Sequence, residues 1–203
     1  MVGITNVTRR AWLAQLTAPG GRPQFAAPLS GREIIQRRNL PNVPLVTHEG
    51  KRVLFYDDVI RDRVVAINLM YADCEGVCPT ITMNLVKAHA ILRARTTTPV
   101  RFCSLTVKPE TDTPDKLKAY VEMHHADGDW LFLTGEPDDV ELLRRRLGFV
   151  DLNPKVDKDK ASHSGVVRYG NEPLALWGAC PGSTSPEWLA TEIGFVIPGM
   201  PRA

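Results

Sequence analysis

Two cysteines four residues apart, Cys74 and Cys78 in Asp73-Cys74-Glu75-Gly76-Val77-Cys78-Pro79, carry the plainest chemistry in this chain. Residues at i and i+4 share a helix face, so both sulfurs can point one way. The apolar run Val64-Val65-Ala66-Ile67-Asn68-Leu69-Met70-Tyr71 leads into the pair, and a helical pattern leaves from Pro79. That order predicts a strand, a turn carrying the thiols, and a helix. Unpaired N–H groups and the dipole at a helix start favour thiolate over thiol. Thiolate attacks disulfides and binds soft metals, so the pair predicts redox or soft-metal chemistry.

The elements that must position these sulfurs fit within one domain. With 203 residues and 43% hydrophobic content, the chain can bury one full core. The 25 basic and 23 acidic residues are interspersed and leave a net charge of +2, which calls for no nucleic-acid partner. The short run Arg144-Arg145-Arg146 is expected on the exposed C-terminal end of a helix. No stretch approaches the roughly 18 to 20 apolar residues of a membrane-spanning helix. Thr8-Arg9-Arg10-Ala11-Trp12-Leu13 resembles the start of a twin-arginine export signal, but polar residues, Gly20, Gly21 and Pro23 interrupt the apolar segment that should follow.

Along the chain, residues 1–40 read as an irregular arm or processed leader, residues 41–197 as the domain, and 198–203 as a tail. Pro44–Thr47 and Arg52–Phe55 predict a hairpin around the turn at His48-Glu49-Gly50, with His48 solvated. A helix follows from about 79 to 95 with Ile81, Leu85, Ala88 and Leu92 inward, then a strand over 100–107. Thr113-Pro114 opens a second helix, closed by His124 and His125, whose charge would suit a helix end. A strand over 130–134, a helix over 137–147 stopped by Gly148, and a polar stretch over 153–160 come next. Two short strands, 165–169 and 174–177, flank a turn at Gly170-Asn171 before a last helix from Ser185-Pro186. Of the remaining cysteines, Cys103 reads as a buried strand residue. Cys180 follows a strand and could fold back toward the pair.

This alternation implies a mostly parallel sheet with helices on both faces, and ligand sites in such sheets gather at the carboxyl ends of strands. Cysteines at the turn after the first core strand resemble the thioredoxin-like arrangement, but with three intervening residues rather than two. Where that fold places a proline before its C-terminal hairpin, this chain has Ala161-Ser162-His163-Ser164-Gly165. Two soft sulfurs and one imidazole suit three-coordinate Cu(I), and hold Cu(II) with an added oxygen ligand. Closed structural zinc sites need four ligands, and only Cys180 offers a fourth. A peroxiredoxin-type site wants threonine three residues before its cysteine, where Tyr71 stands.

The sequence resembles the Sco/SenC family of copper-binding, thioredoxin-like proteins that assist assembly of the Cu(A) centre of cytochrome c oxidase. The resemblance runs through Val65–Tyr71, Cys74–Thr80, Thr106–Pro114, Trp130–Gly135 and His163, and covers most of residues 41 to 195. It implies a central mixed sheet flanked by helices with an N-terminal hairpin extension. It also implies copper held by Cys74, Cys78 and His163, a Cu(A)-bearing oxidase subunit as partner, and a periplasmic or periplasm-facing location. Family members often have aspartate before the histidine; here Ser162 stands there, and Asp157 or Asp159 could substitute. Two other functions fit the same residues. In one, a thiol-disulfide oxidoreductase, Cys74 attacks because it is the more exposed thiol, and Cys78 resolves the mixed disulfide. In the other, the module senses redox state and binds a partner without delivering metal.

Overall fold

The computed structural model describes residues 30–159 and 165–200. The chain divides into two units, Met1–Ile34 and Ile35–Ala203, and the site lies in the second. Residues 31–39, expected within the irregular arm, form a helix, α1 (Gly31–Asn39). Its start is a reciprocal cap: the Ser30 amide donates to the Glu33 carboxylate at 2.8 Å and the Glu33 amide donates to Ser30 Oγ at 3.2 Å.

Seven strands follow: β1 (Pro44–Thr47), β2 (Arg52–Leu54), β3 (Val64–Met70), β4 (Val100–Thr106), β5 (Trp130–Gly135), β6 (Val166–Asn171) and β7 (Leu176–Pro181). They make one sheet in the order β2-β1-β5-β4-β3-β6-β7. Among the described residues only β3–β4 and β4–β5 are parallel; the other four ladders are antiparallel. The sheet is thus mixed rather than mostly parallel, because hairpins at both edges add antiparallel strands to a parallel centre. Every residue of β3 is buried, which requires cover on both faces and explains its unbroken apolar run.

Among the described residues a π-helical turn, Phe55–Ile60, follows β2, and the other α-helices are α2 (Cys78–Arg95), α3 (Pro114–His124), α4 (Pro137–Arg146), α5 (Pro154–Lys158) and α6 (Pro186–Gly194). Ile81, Leu85, Ala88 and Leu92 form the buried stripe of α2, as their spacing predicts. Thr113 caps α3 by accepting from the Lys116 amide, and Ser185 caps α6 by accepting from the Trp188 amide.

Several local expectations change. His48 is half-buried and accepts a hydrogen bond from the Phe132 amide at 3.3 Å, so it joins β5 rather than solvent. His124 packs at a tilt against Tyr120 with ring centroids 4.3 Å apart, and burial lowers its pKa, so packing rather than helix-end charge explains it. Arg144 is mostly covered and grips the Asp157 carboxylate with both terminal nitrogens, at 2.7 and 3.0 Å. That ion pair organises the polar stretch into α5. The last hairpin turns at 172–175 instead of 170–171, since Gly170 and Gly178 lie opposite Trp177 and Tyr169 within the ladder.

Candidate functional site

The turn between β3 and α2 sits at the carboxyl end of the parallel centre, and Cys78 is the first residue of the helix. No side chain caps α2 through its N-cap residue, Val77. The Cys78 thiol, the amides of Cys78 and Gly76, and the Tyr71 hydroxyl all favour the thiolate form of Cys74. Burial alone would push the Cys74 thiol up, but these donors together bring its pKa below the ordinary value. Burial raises Cys78 to about 12, with its hydrogen bond to Cys74 adding to the shift. The two thiols therefore differ sharply in acidity although both are buried, at 7% and 1% exposure. Burial dominates at Cys78, whereas at Cys74 the neighbouring donors outweigh it.

Around the pair, the Tyr71 hydroxyl is raised to about 12 by its hydrogen bond to Cys74 and by burial. Lys108 Nζ lies 3.7 Å from the centre of the Tyr71 ring, a cation over its face. Glu75, Gly76 and Val77 form an exposed lip above the sulfurs. A Cβ on Gly76 would come 3.9 Å from Cys74 Sγ, so glycine leaves the sulfur open on that side.

His163 and Ser162 lie outside the described residues. Asp157 is committed to Arg144, to Arg145 and to the Asp151 amide. Asp159 acts electrostatically on Tyr71. Cys103 is fully buried in β4, and burial pushes it up to about 12, in keeping with an inert strand thiol. Cys180 lies within β7 opposite Val167, and is raised to about 12 by burial and by Glu192. All four cysteines are free thiols. Among the described residues, no cluster of three or more His, Cys, Asp or Glu side chains is arranged to hold a metal.

Around the pair, the sequence gives no role to Lys108, Asp112 and Lys116, which lie in Thr106–Pro114 or just beyond it, a stretch noted only for its resemblance. The parallel pairing of β3 with β4 brings that loop beside the cysteine turn.

A two-thiol turn at the head of a helix, on a mixed sheet of this order, defines a thioredoxin-like protein. The SCO1/SenC family profile matches residues 41–194, and the chain belongs to that family. A Stutzerimonas stutzeri protein whose name presumes copper binding is 26% identical over 132 residues, which cover 64% of this chain and 63% of that protein. The match therefore spans less than two thirds of that relative. A SCO1/SenC family lipoprotein from Bacillus anthracis str. Ames superposes with a TM-score of 0.63 at 21% identity, covering 77% of this chain and 94% of that one. Arabidopsis thaliana ScoI with copper bound gives 0.62 at 19% identity, with 76% and 94% covered. At these identities the solved structures bear on the fold. No helix among the described residues is long and apolar enough to cross a membrane.

Proposed function

We propose that reduced Cys74 and Cys78, together with His163, bind copper as cargo and pass it by ligand exchange to the Cu(A)-bearing subunit of cytochrome c oxidase. The observation that carries this reading is the pair of unlinked thiols at the head of α2, one with lowered and one with raised pKa. Thiolates are soft donors that suit Cu(I), and an imidazole completes a three-coordinate set.

Chain connectivity supports His163 as the third ligand. Gly165 lies against α2: a Cβ there would stand 3.6 Å from Ile81 Cδ1. Ile81 follows Cys78 by three residues and shares its helix face. His163 precedes Gly165 by two residues, a span of at most roughly 7 Å. Copper-bound ScoI and the copper-related relative support the choice of metal. The lipoprotein relative supports an exported, membrane-held protein.

Anaerobic Cu(I) titration of the reduced protein tests the reading, with Cys78→Ser and His163→Ala measured beside wild type. One copper per chain in wild type, weakened in both variants, is the expected outcome. Unchanged stoichiometric binding in both variants would sink the proposal.

A second reading, thiol-disulfide exchange on a client, draws on the split acidity of the pair. The Cys74 thiolate attacks a client disulfide sulfur and expels the other sulfur as a thiolate; Cys78, once deprotonated, resolves the mixed disulfide and releases the client's second thiol. Trapping with Cys78→Ser should accumulate the mixed disulfide with a disulfide-bonded Cu(A)-site peptide. No trapped species would count against this route.

A further inference from the structure

The loop after β4 contains a carboxylate that the copper reading does not use. Asp112 is 1% exposed. Its Oδ2 accepts the Ala72 amide at 3.0 Å and the Thr106 hydroxyl at 2.6 Å. Its Oδ1 lies 3.4 Å from Lys116 Nζ, and the same ammonium pairs with Asp73, the residue directly before Cys74. The loop is itself braced: the Asp112 amide donates to the Lys108 carbonyl at 2.9 Å, and the Lys108 amide donates to Thr106 Oγ1 at 3.0 Å.

A buried carboxylate is costly unless its oxygens are filled. Here the backbone of the cysteine turn supplies one of the donors, so moving Ala72 would strip the carboxylate of that partner. Lys116 extends the same constraint one residue further, to Asp73. The turn is thus held at two consecutive residues ahead of Cys74, from an element 40 residues away.

We propose that Asp112 is a positioning residue for the Cys74–Cys78 turn, acting through the Ala72 amide and, by way of Lys116, through Asp73. The inference rests on Cys74 and Cys78 being the working pair. It predicts that any process needing both sulfurs together weakens when the clamp is loosened, because the turn then holds the thiols at a lower effective concentration.

The test uses the full chain and two readouts. The first is the equilibrium between the dithiol and the Cys74–Cys78 disulfide against dithiothreitol, in which two electrons and two protons pass from the pair to the oxidised reagent. The second is Cu(I) affinity by competition with a chromophoric chelator. Asp112→Asn should lower the disulfide-forming constant several-fold. It should also lower copper affinity by about 10-fold, the lower end of what partners behind a metal's ligands contribute. The copper effect should vanish in the Cys74→Ser background, since a general loosening of the fold would persist there.

An unchanged disulfide constant in folded Asp112→Asn overturns the proposal, as does a copper loss of equal size with and without Cys74. Should Asp112→Asn fail to fold, Lys116→Met removes only the partly exposed bridge, and a disulfide constant within experimental error of wild type then overturns it. A wild type that binds no copper, but whose disulfide constant responds to Asp112→Asn, would remove the copper function and leave the positioning role standing.

Discussion

Tyr71→Phe removes a hydroxyl that favours the Cys74 thiolate while keeping the ring under Lys108. A hydrogen bond to a charged group contributes about 1.5 to 3 kcal/mol. At about 1.4 kcal/mol per pKa unit, losing a donor to the thiolate raises the Cys74 pKa by about 1 to 2 units. The sign follows because the hydroxyl favours the charged form of the sulfur. Cys74 alkylation by iodoacetamide, followed from pH 5 to 10, reads this directly. Cys103 and Cys180 stay silent over that range because burial holds both near 12. A Cys78→Ser background keeps an O–H donor beside Cys74 and removes the second thiol of the pair from the signal. A midpoint that moves by less than about half a unit, or that falls, would refute the assignment of Tyr71 as a thiolate donor.

Other outcomes follow from the scaffold. The Arg144 guanidinium holds Asp157 well below the usual carboxylate range, so its stabilisation is present above an unfolded pKa of about 3.9 and lost as pH falls toward the lower folded value. Asp157→Asn should therefore lower Tm at pH 7, with the gap narrowing below about pH 3.9 and closing only as the pH nears the much lower folded value; a gap that does not narrow on acidification would refute it. Gly170→Ala puts a Cβ 2.2 Å from Trp177 Cε3 and should cost about 1 to 3 kcal/mol in urea unfolding. Adding Trp177→Ala should recover part of that loss, and strict additivity would contradict the clash. Tyr56→Phe deletes a hydroxyl bonded at 2.9 Å to the buried Glu172 carboxylate, and urea midpoints should report a loss of about 1 to 3 kcal/mol.

The centre of the fold was legible because burial on both faces writes itself as an unbroken apolar run, as in Val64–Met70. Helix starts were legible where a Thr or Ser cap precedes proline, as at Thr113-Pro114 and Ser185-Pro186. The final hairpin was misplaced because Gly170 and Asn171 carry turn chemistry yet pair within the ladder. Local propensity yields there to glycines facing aromatic rings. Helix α1 went unread although Ser30 and Glu33 hold the spacing of a reciprocal cap. Of the site, the cysteines were visible because their spacing is local. Asp112 and Lys116 were not, since their link to the turn depends on β3 pairing with β4 and spans some 40 residues of sequence. Arg144 reads as a surface residue because a run of like charges resembles a solvated face until its partner, Asp157, arrives from another helix.

The unequal thiols also bear on charge balance. Once the first proton leaves the pair, the second remains until the medium approaches about pH 12. A monovalent soft cation taken up by both sulfurs must then displace that last proton, one positive charge for another. The buried turn would carry the same net charge loaded as empty, which spares it the desolvation cost of an added ion. Loading becomes an ion exchange, acidifying an unbuffered solution by about one proton per cation and tightening about tenfold for each unit rise in pH.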